Sequence, residues 1–254
     1  TLAGNLHYGY LGGSRLLVLG VHAHIAIAGW VLLVVVGVAR HLLPMFLVSH
    51  GAPLWPAKSS AVLLGAGVLL LVVGHHMGDV VGYTLPALLV AAGTAAFLVQ
   101  AALFFRHRKR PRLDAGMRLA AAALVMLAFA LGLAPFALTR GFGAPRLATA
   151  YGVTLVLGLA LFVAGHLYKI LPFLVWNHRY GPLIGKCPLP RVADLFDARA
   201  ANVAAALLAL GVFVLIAAVL AGAAPWTRFA AALIAAGAAT LTVQMIGVLR
   251  RRPE

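Results

Sequence analysis

Long apolar runs separated by short polar segments make up most of this 254-residue chain. A helix of about 20 apolar residues crosses the roughly 30 Å hydrocarbon core of a bilayer, and its backbone hydrogen bonds are all internal. The pattern therefore predicts an all-α, integral membrane bundle of about seven transmembrane helices. The predicted spans run from Leu16 to Val38, Ser60 to Gly78, Thr84 to Phe105, Leu119 to Thr139, Leu147 to Tyr168, Ala200 to Gly222 and Phe229 to Leu249.

The composition excludes a soluble globular protein. Hydrophobic residues make up 63% of the chain and charged residues only 10%, with a mean hydropathy of +1.02. Such a chain has too few polar side chains to cover a surface exposed to water. We expect a single transmembrane domain covering residues 1–254. Within it, GVARHLLPMFLVSH from Gly37 and GHLYKILPFLVWNH from Gly165 are similar, which indicates a weak parallel pseudo-repeat of residues 16–118 and 147–249.

The basic residues predict the direction of the helices. The formal net charge is +15, and sixteen of the 20 Lys and Arg residues fall in connections on one side of the predicted membrane. Cytoplasmic connections carry such an excess, so the N-terminus is predicted outside and the C-terminus inside. The cluster RHRKRPR, from Arg106, is interpreted as a cytoplasmic loop near anionic lipid and not as a nucleic-acid site.

The cysteine content limits how a cofactor can be held. Cys187 is the only cysteine, which excludes an intrachain disulfide, a CxxC metal clip and a CxxCH attachment for covalent haem. Any cofactor must therefore be held by other side chains. Because the sequence begins with Thr1 and not with a methionine, we expect further residues upstream.

Four histidines fall at similar depth in the first two predicted spans. His22 and His24 lie about 9 and 12 Å from the outer end of the first span, at about 1.5 Å per residue. The second span runs back outward, so His75 and His76 return to the same outer half. Imidazoles inside a membrane are costly unless paired, which makes them candidate ligands of haem or metal. The alternative is that these histidines only hydrogen-bond neighbouring helices.

The spacing of these histidines predicts contacts on several sides. His22 and His24 point about 200° apart on a helix, so they serve two neighbouring spaces and cannot clamp one ion together. His75 and His76 are about 100° apart. Haem ligation needs one imidazole from each of two facing helices, with small residues admitting the macrocycle. The small residues nearby are Gly20, Ala23, Ala26, Gly29, Gly65, Gly67 and Gly74.

A second group of histidines belongs to the inner half of the predicted bundle. A second haem or metal held by His166 and His41 is a further hypothesis, whereas His50 and His178 are interpreted as solvated interfacial residues. Asp79 is the only carboxylate near a predicted span. The carboxylate relays of proton pumps and ion-coupled transporters are therefore not expected.

The segment HAHIAIAGW, from His22, with VGVARHLLPMF after it, resembles the His-X-His helix of haem-copper oxidase subunit I. The cbb-type oxidases and nitric oxide reductases are the nearest members, and the NnrS-type proteins are more loosely similar. In these oxidases the two histidines ligate two different haems, so the resemblance implies haem ligation by His22 and His24. His75-His76 resembles the two-histidine copper motif, but it follows the His-X-His helix here instead of preceding it. Seven spans are also fewer than the twelve of a typical catalytic subunit.

The residues and the resemblance together predict a b-type haem protein of the bacterial or archaeal cytoplasmic membrane. It would transfer electrons, or present haem to a gas or quinone, within a respiratory assembly that includes other membrane subunits or a redox partner. One or two haem b groups are expected, with copper as a further candidate, and the chain is an oxidoreductase or an electron-transfer subunit under this hypothesis. The alternatives are a transporter or sensor that handles copper or haem, and a structural membrane subunit without a cofactor.

Overall fold

The computed structural model consists of helices joined by short connections. It describes residues 15–77, 80–140 and 143–253, without the side chains of residues 15–17, 75–77, 80 and 81. Within these ranges seven helices are long and apolar enough to cross a membrane, and no regular strand occurs. The predicted all-α, multi-pass membrane fold is confirmed. The helices are α1 (Arg15–Ala26, π-helical Ile27–Leu32, and Leu33–Leu47), α2 (Trp55–Met77), α3 (Val80–Arg106), α4 (Ala115–Arg140), α5 (Pro145–Arg179), α6 (Ala198–Ala221) and α7 (Ala224–Arg250).

Two helices extend well beyond their predicted ends. The sequence places Pro44 and Pro172 after the first and fifth spans, but both prolines lie inside helices, which end at Leu47 and Arg179. Proline removes one N–H donor, and a transmembrane helix tolerates this loss when nearby groups satisfy the backbone. α1 stops only at Val48, where the backbone turns left-handed with φ of 52°.

The chain divides into two compact units, residues 1–110 and 111–254. The first contains α1–α3 and the second contains α4–α7. In each unit a long helix carries one of the two similar segments, and a pair of adjacent helices follows it: α2 and α3 after α1, and α6 and α7 after α5. This element order agrees with the proposed pseudo-repeat, which stays a prediction.

Glycines allow the paired helices to approach closely. A Cβ atom at Gly82 of α3 would lie 2.6 Å from the carbonyl oxygen of Gly74 in α2. Gly116 and Gly165 make the same close approach between α4 and α5, at 2.6 Å in either direction. Without a hydrophobic drive between helices in lipid, such small-residue contacts are a main source of packing energy. The pairs α2–α3 and α4–α5 therefore depend on residues that have no side chain.

A layer of polar contacts crosses the second unit near the start of α4. Asp114 caps this helix by accepting the N–H of Met117 at 3.1 Å, and it forms an ion pair with Lys169 of α5. The expectation that Asp79 is the only carboxylate near a span was wrong, because α4 begins at Ala115 and not at Leu119. Gln244 of α7 contacts the Tyr168 hydroxyl at 3.1 Å.

The connection between α5 and α6 folds against the same end of the second unit. The Trp176 indole N–H donates to the carbonyl of Pro190 at 2.6 Å, and Leu195 is buried against Val175 and Val248. The hydrogen bond from Arg191 holds the pKa of the exposed Asp194 carboxyl below its usual value. This connection is therefore an ordered cap over the helix ends.

Asp114 offers a direct test of the polar layer. Asp114→Ala removes both the helix cap and the ion pair, and we expect it to lower the free energy of unfolding by about 1–3 kcal/mol. Asp114→Asn retains a capping oxygen and loses only the ion pair, so its loss should be smaller. Unfolding in a denaturing detergent measures both. Equal losses for the two variants would contradict a capping role.

Candidate functional site

The first unit contains the His-X-His pair on the N-terminal part of α1. His22 and His24 both lie within the α-helical segment Arg15–Ala26. The His22 ring is exposed, whereas His24 is partly buried. Two residues turn an α-helix by about 200°, so the two rings leave the helix on nearly opposite sides. Their different burial agrees with the predicted two-sided arrangement.

A backbone hydrogen bond orients the His24 ring. Its Nδ1 lies 2.7 Å from the carbonyl oxygen of Gly20, one turn earlier. A carbonyl only accepts hydrogen bonds, so Nδ1 carries the proton and Nε2 of the neutral ring holds the lone pair. Histidines that ligate metals commonly donate their other ring N–H in this way. The exposed His107 makes the same contact with Leu103 at 2.9 Å, so the bond alone does not identify a ligand.

A π-helical segment, Ile27–Leu32, follows the His-X-His pair directly. A π-turn widens the helix and shifts the faces on either side of it, and such turns occur frequently at functional sites. Sequence periodicity did not predict this segment. The segment contains Gly29 and Trp30, which end the part of the sequence that resembles the oxidase helix.

Gly29 marks the place where α1 approaches α2. A Cβ atom at Gly29 would lie 2.7 Å from Cγ1 of Val68. His22 is seven residues before Gly29, and position 75 is seven residues after Val68. Since the two helices are joined by a short connection and run in opposite directions, both positions lie about 10 Å beyond the contact, toward the same end of the unit. The register therefore brings positions 22 and 75 to a common level.

The partner histidines of the proposed site are only partly described. His75 and His76 lie in the last turn of α2, which ends at Met77, but their side chains are outside the described part of the structure. Asp79, which follows them in the sequence, is also outside it. The meeting of these rings with His22 or His24 thus stays a prediction.

The two histidines proposed for a second site occupy different units. His41 is exposed on the last part of α1, in the first unit. His166 is buried in α5, in the second unit, where its Nδ1 lies 2.8 Å from the Phe162 carbonyl and its ring lies 4.3 Å from the Phe162 ring. His50 and His178 are both exposed.

Metal sites built from several ligands are not formed by the described side chains. Within that part of the chain, no group of three or more His, Cys, Asp or Glu residues could hold a metal ion. Haem differs from such sites because two axial imidazoles are enough, and one is enough where a position stays open. The described side chains do not include those of His75 and His76.

Polar groups are buried between α2 and α3, and the sequence did not predict them. Gln100 of α3 accepts the backbone N–H of Ala57 at 3.1 Å, close to the start of α2. Its amide nitrogen and the Ser60 hydroxyl are buried and have no hydrogen-bond partner among the described residues. Gln100 therefore supplies a cap that the start of α2 lacks in its own sequence. The sequence does not predict this contact, because an isolated Gln in an apolar run does not indicate its partner.

Comparison of the chain with models of protein families, with curated proteins and with solved structures gives no match. Membership of a family is therefore not assigned. The resemblance of the segment from His22 to Trp30 to haem-copper oxidases stays a hypothesis that rests on those residues.

Proposed function

We propose that this membrane protein binds a b-type haem between α1 and α2. One axial ligand would come from His22 or His24 and the other from His75 or His76. The observation that carries the proposal is the contact between Gly29 and Val68, which sets positions 22 and 75 at the same distance from the crossing of the two helices. The resemblance to the oxidase helix supports the same ligands.

The donor chemistry of the site fits haem. Neutral imidazole is a common ligand of haem iron, and the hydrogen bond between the His24 Nδ1 and the Gly20 carbonyl orients the His24 ring. The exposed His22 ring is accessible as well.

The space available to a macrocycle is narrower than the small residues of the sequence suggest. Neighbouring helices already fill the space beside three of these glycines. Gly29 faces Val68, Gly67 faces Val90, and Gly74 faces Gly82. Gly65 has open space beside it. A haem would therefore lie beyond the Gly29 contact, toward the start of α1, where His22 is exposed.

A haem with two imidazole ligands supplies one-electron transfer, and one with an open position binds a gas. The protein residues would hold it and control its surroundings. His24, oriented by the Gly20 carbonyl, would fix one ligand direction. We place such a protein in a respiratory assembly of the bacterial or archaeal cytoplasmic membrane, as an electron-transfer subunit or as an oxidoreductase that acts on a gas or quinone, together with other membrane subunits or a redox partner.

The opposite directions of His22 and His24 support a second cofactor beside the first. The remaining outer histidines would hold a second haem or a copper ion. His166 and His41 are the other candidates for a second haem, and they lie in different units. His166 fits such a role better, because it is buried and its Nδ1 contacts a carbonyl.

The exposure of His22 also favours a second candidate function, the transient handling of copper or haem by a transporter or sensor. An exposed imidazole exchanges its ligand more readily than a buried one. Substoichiometric metal that a chelator removes would identify this function. A colourless, metal-free and stable preparation would instead indicate a structural subunit.

A reduced-minus-oxidised optical spectrum of the purified protein tests the proposal. Pyridine haemochrome quantification gives the number of haem b groups per chain. We expect at least one haem per chain with the bands of a six-coordinate or ligand-binding b-type centre. A preparation from haem-replete cells that contains no haem would overturn the proposal.

A further inference from the structure

One end of the first unit carries exposed basic side chains and no carboxylate of the same unit. Asp79 is the only carboxylate in residues 1–110, and it lies between α2 and α3 in the sequence, whereas the basic residues lie near the start of α2 and the end of α3. Ion pairs within the unit therefore cannot neutralise them there. We call the exposed side chains of Lys58, Arg106, Arg108 and Lys109 the basic surface.

The backbone joins the two connections that form this end of the unit. The N–H of Lys109 donates to the carbonyl of Val48 at 3.1 Å, and Ser49 pairs with Arg108 in an isolated antiparallel bridge. The Arg108 guanidinium donates to the Phe105 carbonyl at 2.7 Å and so covers the end of α3. The segment after α1 and the segment after α3 are thus joined through their backbones, which fixes the place of Arg108 and Lys109.

The basic surface lies at the level where a membrane-spanning segment ends. Arg106 is the last residue of the candidate span Gly82–Arg106. Trp55, the first residue of α2, is 64% exposed, and Leu54 before it is 44% exposed. Tryptophan prefers the interface between headgroups and acyl chains. Phosphate groups of a bilayer therefore lie at the height of these basic side chains.

We propose that the basic surface binds the headgroup of an anionic phospholipid. Arg106, Arg108 and Lys109 supply the charge for the phosphate, and Trp55 packs at the adjoining acyl-chain boundary. The exposed Leu54 and Trp55 near the charges favour a lipid, whose acyl chains they can contact, over a nucleic acid, whose backbone is charged along its whole length. The proposal does not depend on the haem site, because none of its residues is a proposed ligand.

Native mass spectrometry of the full chain in detergent, titrated with phosphatidylglycerol or phosphatidylcholine, tests this assignment. The test variant is Arg106→Gln with Lys109→Gln, since the structural bond of Lys109 uses its backbone only. We expect the unchanged chain to bind phosphatidylglycerol more tightly than phosphatidylcholine. The variant should bind phosphatidylglycerol about thirtyfold more weakly, because each lost charge costs about 1 kcal/mol of binding free energy. The charge-preserving variant Arg106→Lys with Lys109→Arg should keep the preference.

The matched control removes the same number of charges elsewhere. Arg250→Gln with Arg251→Gln alters two exposed residues of the second unit and should leave phosphatidylglycerol binding unchanged. An equal loss in this control would overturn the proposal in favour of non-specific attraction by net charge. Displacement of the lipid by millimolar inorganic phosphate would show a small-anion site instead. Tighter, Arg106-dependent binding of a short oligonucleotide would show a nucleic-acid surface.

Discussion

Replacing His22 or His24 by alanine is expected to remove different parts of the haem spectrum. The two rings leave α1 about 200° apart, so they serve two separate spaces. Loss of an axial imidazole should lower haem affinity by more than the about 10–100-fold that is typical when only a supporting residue of a metal ligand is lost. Haem content and the reduced-minus-oxidised spectrum of each variant measure the effect.

The control for these variants is His107→Ala. His107 makes the same contact with a carbonyl one turn earlier as His24 does, but it lies in the exposed basic segment after α3. Its replacement should leave haem content unchanged. Identical partial losses in the His22 and His24 variants would contradict the two-sided arrangement. Unchanged spectra in both variants would show that neither His22 nor His24 of α1 is a haem ligand.

The number and class of the helices could be predicted because lipid imposes a strict length and apolarity on each span. All seven predicted spans overlap a helix of the structure. The ends of α1 and α5 could not be predicted in the same way. Pro44 and Pro172 normally mark a helix end, but in these helices each proline removes one donor and the next turns continue.

The sequence predicts a similar depth for His22 and position 75, but it does not predict which residues are their neighbours. Counting residues from the ends of a span gives a height in the membrane, and for His22 and position 75 the Gly29–Val68 contact agrees with that height. Which glycine meets which residue depends on the rotation of each helix. The π-helical segment Ile27–Leu32 alters this rotation and has no periodicity signal of its own.

The pairing of the polar residues was also beyond the sequence. Asp114 and Lys169 are 55 residues apart and belong to different helices, yet they form one ion pair. Gln100 contacts the start of α2, 43 residues earlier. In an apolar chain a polar residue indicates that some partner exists, because leaving it unsatisfied is costly, but it does not indicate which partner. The sequence therefore gives no indication that Gln100 contacts the start of α2.

Gly165→Ala is expected to destabilise the second unit strongly. A Cβ atom at this position would lie 2.6 Å from the carbonyl oxygen of Gly116 and 2.9 Å from the amide nitrogen of Ala120. Both are backbone atoms of α4, so they cannot rotate away, and the two helices must separate. Overpacking of this kind costs about 1–3 kcal/mol or more. The free energy of unfolding, measured by steric trapping in bicelles, should fall accordingly.

Gly152→Ala is the matched control for this variant, because it lies on the same helix, α5, with nothing within 4 Å of the added Cβ atom. Alanine there should leave stability unchanged or raise it slightly, since alanine favours a helix over glycine by about 1 kcal/mol. An equal loss for both variants would contradict the close approach of α4 and α5. Because Gly165 lies in the second unit, haem bound between α1 and α2 should be retained in folded Gly165→Ala protein. Its loss would show that haem binding depends on the α4–α5 contact.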